Sequence, residues 1–194
     1  MDNVFGVYIT GVGGQGILLA SEVLSEVARK AGMDVKKSEV HGMAQRGGSV
    51  VGHVKFGPKV ASPLIAEAEA DVLLSFEKLE ALRHINFLKP GGKIIVNDQQ
   101  IDPAPVASGL MDYPGDVWDR IKTAVGDAVM VPAMKLAKEA GTSRAANVVM
   151  LGALSKFLPF DKRLWLEAIE ERVPPKYIEM NKKAFESGIA ATEG

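Results

Sequence analysis

Two glycine-rich strings carry the residues of this chain whose types and spacing suit ligand chemistry. The first, Ile9-Thr10-Gly11-Val12-Gly13-Gly14-Gln15-Gly16, follows an apolar run from Val4 to Ile9 and precedes an amphipathic segment. That order of strand, G-x-G-x-x-G and helix turns backbone N–H groups and a helix N-terminus toward a phosphate. The same glycines would also permit a tight turn with close packing and no ligand at all, and spacing leaves both readings open. The second string, His41-Gly42-Met43-Ala44-Gln45-Arg46-Gly47-Gly48, sets a single arginine among small residues. Such an Arg46 either meets an anion or a partner's carboxylate through its planar fork, or stays solvated. His41 and Gln45 can orient a ligand or bind nearby backbone. The candidate binding residues are therefore Gly11, Gly13, Gly14, Gln15, Gly16, His41, Gln45, Arg46, Gly47 and Gly48.

Other chemistry is thinner. Glu39 falls about 20 residues beyond the glycines, where a ribose-binding acid is expected in a dinucleotide site. The unusual loop that follows it speaks against an ordinary nicotinamide site. His41, His53 and His84 show no metal-ligand spacing, and no pair of carboxylates is singled out for acid–base work. Asn147 and Asn181, each inside an apolar helical pattern, read as buried amides satisfied by backbone. The chain has no cysteine, so thiolate-held iron–sulfur clusters and Cys-based zinc sites are excluded.

The elements that must position the two strings follow from periodicity. Ile17, Ala20, Leu24, Val27 and Ala31 form a helical stripe ended by Gly32, with Ser21, Glu22, Ser25, Glu26, Arg29 and Lys30 on the other side. Strands are expected over 34–40 and 49–56, a doubly buried parallel strand over 71–76, a helix over 77–88 closed by Pro90-Gly91-Gly92, and a strand over 93–97. Residues 98–115, with Pro103, Pro105 and Pro114, read as an extended excursion rather than a helix. Val129 to Val131 returns as a strand. A helix over 133–140 stops at Gly141, and Ser143 caps an apolar helix reaching Leu158. Asp161 caps the next helix, and Pro174-Pro175 separates it from the last. The expected fold is a single α/β domain over 1–194: Rossmann-like, a mostly parallel sheet with helices on both faces and a helical C-terminal segment. Ligands in such sheets bind beyond the carboxyl ends of the strands.

At 194 residues, 47% hydrophobic, 24% charged and a formal net charge of −1, the chain has neither a basic field for nucleic acid nor a polybasic membrane stretch. It has no apolar run of transmembrane length, and Met1-Asp2-Asn3 lacks the basic region and cleavage site expected of a signal peptide, so a cytoplasmic location is expected.

Four segments, Thr10 to Gly16, Ser38 to Val50, Asn147 to Leu154 and Asn181-Lys182-Lys183-Ala184-Phe185, together resemble the gamma domain of 2-oxoacid:ferredoxin oxidoreductases over nearly the whole chain. The form of the His41–Gly48 loop and the stretch from Asn97 to Pro105 are most similar to the small subunit of the indolepyruvate branch. The resemblance implies a complex active in anaerobic metabolism, which decarboxylates a 2-oxo acid on thiamine diphosphate. It passes two electrons through iron–sulfur clusters to ferredoxin and transfers the acyl group to coenzyme A.

It also implies a division of labour. Thiamine diphosphate sites show Gly-Asp-Gly followed at a set distance by Asn-Asn, which Gly126-Asp127-Ala128 and Asn147 do not match. Thiamine diphosphate, magnesium and the clusters are thus expected on a larger partner subunit, with this chain inactive alone and its two loops lining the edge of a shared site where coenzyme A phosphates enter. Pyruvate, 2-oxoisovalerate or 2-oxoglutarate are the alternative substrates. Two further alternatives are a stand-alone nicotinamide dehydrogenase and a non-catalytic interaction domain.

Overall fold

The computed structural model describes residues 3–41 and 47–192. Strand β1 (Phe5–Val12) leads through the glycine turn into helix α1 (Ile17–Lys30), followed by β2 (Asp34–His41), β3 (Ser49–Gly57) and β4 (Ala70–Ser75). Then come α2 (Lys78–Arg83), β5 (Leu88–Asn97), α3 (Ala104–Ala107), α4 (Val117–Val125), β6 (Ala128–Val131) and α5 (Ala133–Glu139). Helices α6 (Ala146–Ser155), α7 (Lys162–Arg172) and α8 (Ile178–Ala190) complete the described chain. No helix among the described residues is long and apolar enough to cross a membrane.

The six strands form one sheet in the order β2-β3-β1-β4-β5-β6. β1, β4, β5 and β6 are parallel neighbours, whereas β3 runs antiparallel to both β1 and β2. Five strands thus point one way and β3 the other. Alternation along each strand divides the interior into two layers, as a period of two requires. Val7, Ile9, Val72, Leu74 and Ile95 face the layer built with α1 and α5 to α8, and Tyr8, Leu73, Ile94 and Val96 face the layer holding Ala81 of α2 and Ile121 of α4.

Several elements differ from the sequence expectation for identifiable reasons. The helix expected over 77–88 is only α2, after which a short 3-10 turn at Ile85–Phe87 leads straight into β5. Strand β5 therefore begins at Leu88, before Pro90-Gly91-Gly92 rather than after it. The register against β4 jumps from Ala70↔Leu88 to Val72↔Lys93, so those three residues form a bulge, where a proline without an N–H and Gly91 at φ +73° are tolerated. The excursion over 98–115 includes the single turn α3. Helix α4, which the reading of periodicity did not assign, follows it. Thr142 rather than Ser143 supplies the cap oxygen, to Arg144 N–H, because a 3-10 turn at Ser143–Ala145 precedes α6. Asp161 caps α7 as expected, accepting from Arg163 N–H at 2.7 Å.

On α1 the polar side is partly covered: Ser21 is buried against β3 and donates to Glu39 of β2, and Glu26 is buried toward α7, where Arg172 approaches it. Lys30–Glu171 at 2.7 Å and Arg172–Glu22 at 3.1 Å join the two helices. Helix α6 is buried all round. Where it meets α8, backbone touches backbone: a Cβ at Gly152 would run into the Phe185 carbonyl and one at Gly188 into the Val149 carbonyl.

Candidate functional site

The two glycine strings meet in space. Antiparallel pairing sets Val12 opposite Ser49, which places the end of β1 against the start of β3. Beyond that pair, Gly13 N–H donates to Gly48 O at 2.8 Å and Gly47 N–H to Gly13 O at 3.4 Å. His41 ends β2, and Gln45 and Arg46 lie outside the described residues.

Within the turn the glycines serve different ends. Gly11 and Gly16 are packing glycines: a Cβ on Gly11 would lie 2.8 Å from both Gln15 Oε1 and Phe76 Cβ, and one on Gly16 only 2.5 Å from Asn147 Nδ2. Gly14, at φ +102°, has nothing within 4 Å of such a Cβ and faces open space. The Gln15 amide is bonded to protein through both its oxygen and its nitrogen. Its Oε1 accepts from Val12 N–H at 2.7 Å, and its Nε2 donates to Phe76 O at 2.7 Å and to Gln99 Oε1 at 3.0 Å. Asn97 joins the same network, donating to Phe76 O and Gln99 Oε1, both at 3.0 Å, and accepting from Ala133 N–H at 3.1 Å. These amides stitch together the carboxyl ends of β1, β4 and β5.

Above them lies a cleft of about 390 Å³ lined by Gly13, Gly14, Gln15, Asn97, Gln99, Ser143, Arg144 and Asn147, among others. It opens beyond the strand ends, as the fold class requires. Asn147, a buried amide as expected, accepts from Val148 N–H at 3.0 Å and reaches Gly16 O at 3.5 Å; Asn181 donates to Tyr177 O at 2.8 Å. Arg144 was not among the sequence candidates. Its side chain has no carboxylate partner among the described residues, and it also lines an adjoining, more apolar cleft of about 250 Å³ with Leu19, Val173 and Tyr177. The available signal was its place just before an apolar helix, where only Ser143 drew notice as a cap.

A second polar group, on the sheet face opposite α1, also escaped the sequence reading. Glu77, Glu80 and His84 lie on one side of α2 and its C-terminus, a helical spacing that was legible. Glu77 caps α2, accepting from Glu80 N–H at 2.8 Å, and also accepts from Tyr113 Oη at 2.8 Å. Glu80, 2% exposed, accepts from Ser49 Oγ at 2.5 Å and Arg83 Nη1 at 2.6 Å, with His84 Nε2 at 3.6 Å. Burial pushes the Glu80 carboxyl up, but hydrogen bonds from His84, Ser49 and Arg83 outweigh it and hold the group below the ordinary range. Burial, with the Glu80 charge beside it, raises Tyr8 to about 12. The residue types match a hydrolytic triad, but the arrangement does not. Ser49 and Glu80 both approach Nε2 of His84 while Tyr8 Oη sits at Nδ1, 3.2 Å away, so the carboxylate cannot orient the ring from the far nitrogen.

The dinucleotide reading loses its footing in the sheet order. In the dinucleotide fold the strand after helix one lies beside strand one, which brings its terminal acid to the ribose. Here β3 is inserted between β1 and β2. Glu39 is thereby moved two strand positions, about 10 Å, from the glycine strand, and it is engaged by Ser21 Oγ and by Lys37 at 3.1 Å.

Comparison with known proteins decides the family. The model for pyruvate ferredoxin/flavodoxin oxidoreductase matches residues 6–191. The chain belongs to this family. Among curated relatives, an indolepyruvate oxidoreductase subunit, IorB, of Thermococcus kodakarensis is 45% identical, the match covering 97% of this chain and 96% of that one. The fold is shared with the gamma subunit of a keto/oxoacid ferredoxin oxidoreductase from Geobacter sulfurreducens, at a TM-score of 0.73 and 24% identity over 97% and 98% of the two chains. It is shared too with a 2-oxoglutarate:ferredoxin oxidoreductase from Magnetococcus marinus, solved with 2-oxoglutarate, coenzyme A and succinyl-CoA bound. There the TM-score is 0.76 at 21% identity, over all of this chain but 32% of the other. The unit thus occurs both as a separate subunit and as part of a longer chain. This protein is the small subunit of a 2-oxoacid:ferredoxin oxidoreductase.

The thiamine diphosphate and clusters that the sequence resemblance implies for the complex do not fit the residues present in this chain. Asp127 immediately precedes β6, at the opposite end of the sheet from the cleft, and pairs with Lys93 at 2.5 Å, whereas Asn147 lies beside Gly16. The two cannot converge on one diphosphate. No cysteine is available for a cluster.

Proposed function

We propose that this subunit serves an enzyme oxidising indolepyruvate or a related arylpyruvate to its acyl-CoA, and that the cleft at the Gly13–Gly14 turn receives the phosphates of coenzyme A. The carrying observation is the meeting of both glycine strings at the mouth of a cleft that also holds a cation, Arg144, with no carboxylate partner among the described residues. Gly14 leaves room for an anion to approach the backbone, and Arg144 supplies charge from the facing wall. Arg46, on the second string, is assigned to the same anion or to a carboxylate of the partner. The likeness to the Thermococcus subunit supports the arylpyruvate substrate. The partner is a larger subunit carrying thiamine diphosphate, magnesium and iron–sulfur clusters, with ferredoxin as electron acceptor and the cytoplasm as location. This chain's share is to bind and orient the acyl acceptor.

The test is arylpyruvate oxidation by the reconstituted complex at varied coenzyme A. Arg144→Ala and Arg46→Ala should each weaken coenzyme A use by about 1.5 to 3 kcal/mol, the range for a lost charge-assisted bond. Arg46→Lys should also suffer, since it keeps charge without the planar fork. Unchanged KM for coenzyme A in all three variants would move the acceptor elsewhere. Weakened subunit affinity with normal KM would assign Arg46 to the interface.

A further inference from the structure

The polar group around Glu80 has no part in the proposed contacts to coenzyme A, yet it holds an almost fully buried carboxylate with hydroxyl, guanidinium and imidazole partners. A carboxylate taken out of water survives only if its oxygens are paired and hydrogen-bonded, and a core position with no further demand is as well filled by an apolar side chain. Glu80 is 2% exposed and its partners come from two directions. Arg83 and His84 belong to its own helix end and draw its charge toward neutrality. The remaining partner, Ser49 Oγ, is the first residue of β3.

That single bond links the buried acid to the glycine site. Ser49 lies opposite Val12 in the β1–β3 ladder, and Gly48, one residue earlier, accepts the hydrogen bond from Gly13 N–H. The main chain from Ser49 to Gly13 therefore has little freedom while Glu80 holds the serine hydroxyl. Tyr8 on β1 supports the arrangement from beneath: its Oη meets His84 Nδ1, and its ring stacks on Phe87 at 4.4 Å between centroids. Glu77, one turn before Glu80, ties the same helix to the loop beyond β5 through Ile101 N–H at 3.2 Å and through Tyr113.

We propose that Glu80 is a positioning residue for the glycine site: through the Ser49 hydroxyl it fixes the Gly48 carbonyl, and through that carbonyl the turn at Gly13. It touches no substrate. Its effect on the reaction rests on the reading that the Gly13–Gly14 turn meets the acyl acceptor, whereas its effect on the turn does not.

Amide hydrogen exchange of the full chain, resolved by NMR, tests the first part. Ser49→Ala and Glu80→Gln should each speed exchange at Gly13 N–H by at least about tenfold, while amides of the β4–β5 ladder keep wild-type protection. Ser49→Thr, which retains the hydroxyl, should leave Gly13 near wild type. Wild-type exchange at Gly13 in both disruptive variants overturns the proposal. So does acceleration no greater than in the β4–β5 ladder, since that is general destabilisation. In the reconstituted complex the disruptive variants should raise KM for coenzyme A several-fold with a smaller change in kcat. Faster exchange at Gly13 with an unchanged KM would uphold the positioning role and remove the acyl acceptor from this turn.

Discussion

Replacing Gly14 and Gly16 with alanine separates conformational need from packing within a single turn. Both glycines have positive φ, +102° and +81°. A side chain in that region is disfavoured by about 1 to 2 kcal/mol. At Gly14 nothing further opposes the new methyl. At Gly16 the methyl would lie 2.5 Å from Asn147 Nδ2 and 3.0 Å from its Cγ, and Asn147 is 5% exposed and bonded to Val148 N–H. Relief requires pushing Asn147 into a packed helix, an overpacking penalty of about 1 to 3 kcal/mol. Gly16→Ala should therefore be the less stable variant by that margin, which for a chain of this size is about 2 to 12 °C in melting temperature. Thermal unfolding of the two variants measures it. Shortening the neighbour should recover most of the difference, so the pair Gly16→Ala and Asn147→Ala ought to be markedly non-additive in a double-mutant cycle. Equal melting temperatures for the two single variants, or additive behaviour in the cycle, would refute the assignment of Gly16 to packing. Gly14→Ala, the milder variant for folding, should be the more informative one for function, because Gly14 lines the cleft.

Gly188→Ala forces a methyl into the Val149 carbonyl and must part α6 from α8, so a loss of about 3 kcal/mol or more is expected in urea unfolding. The alkaline limb of stability depends on one buried and one half-buried tyrosine. Burial raises Tyr8 to about 12 and pushes Tyr113 up as well, with Glu77 adding to the latter. A folded pKa above the unfolded value gives stability that is complete below about pH 10 and is lost as pH climbs through the folded value. Tyr8→Phe combined with Tyr113→Phe should flatten unfolding free energy between about pH 10 and 12, and a decline as steep as wild type would contradict the shift. The purified chain should be colourless, free of iron and thiamine diphosphate, and inactive toward 2-oxo acids; stoichiometric iron–sulfur absorption from it would contradict the division between subunits.

Much of the strand-turn-helix frame was legible because period and punctuation agree there. The run before Gly11, the stripe from Ile17 to Ala31, and Gly32, which accommodates φ +80° at the helix end, each report local physics. Pro90-Gly91-Gly92 misled because the same residues that end a helix also form a bulge, and only pairing with β4 distinguishes the two. Ser21 and Glu26 misled because a polar helix side says nothing of the strand that bonds Ser21 or of the second helix that arrives at Glu26 from far along the chain. The two glycine strings were found as candidates, but their mutual hydrogen bonds depend on β3 running antiparallel beside β1. Gln15 reads as a ligand contact from its place in the string, and folding also gives its amide a partner on backbone and on Gln99. Glu80 stayed hidden because its meaning lies in Ser49, 31 residues away.

The strands at the two margins of the sheet restrict how another chain can join it. β6 has four residues, too short to offer much of a ladder, and β2 carries Asp34, Lys36, Lys37 and Glu39 in an eight-residue stretch. Charges along a marginal strand must shed water before a foreign strand can pair there, which is how soluble sheets resist edge-to-edge stacking. Extension of the sheet into the larger subunit, a common means of joining chains through main-chain bonds, is therefore disfavoured at both ends. That favours association through side chains on helices and loops. Such a contact can be loosened one residue at a time, without unravelling the sheet that carries the cleft.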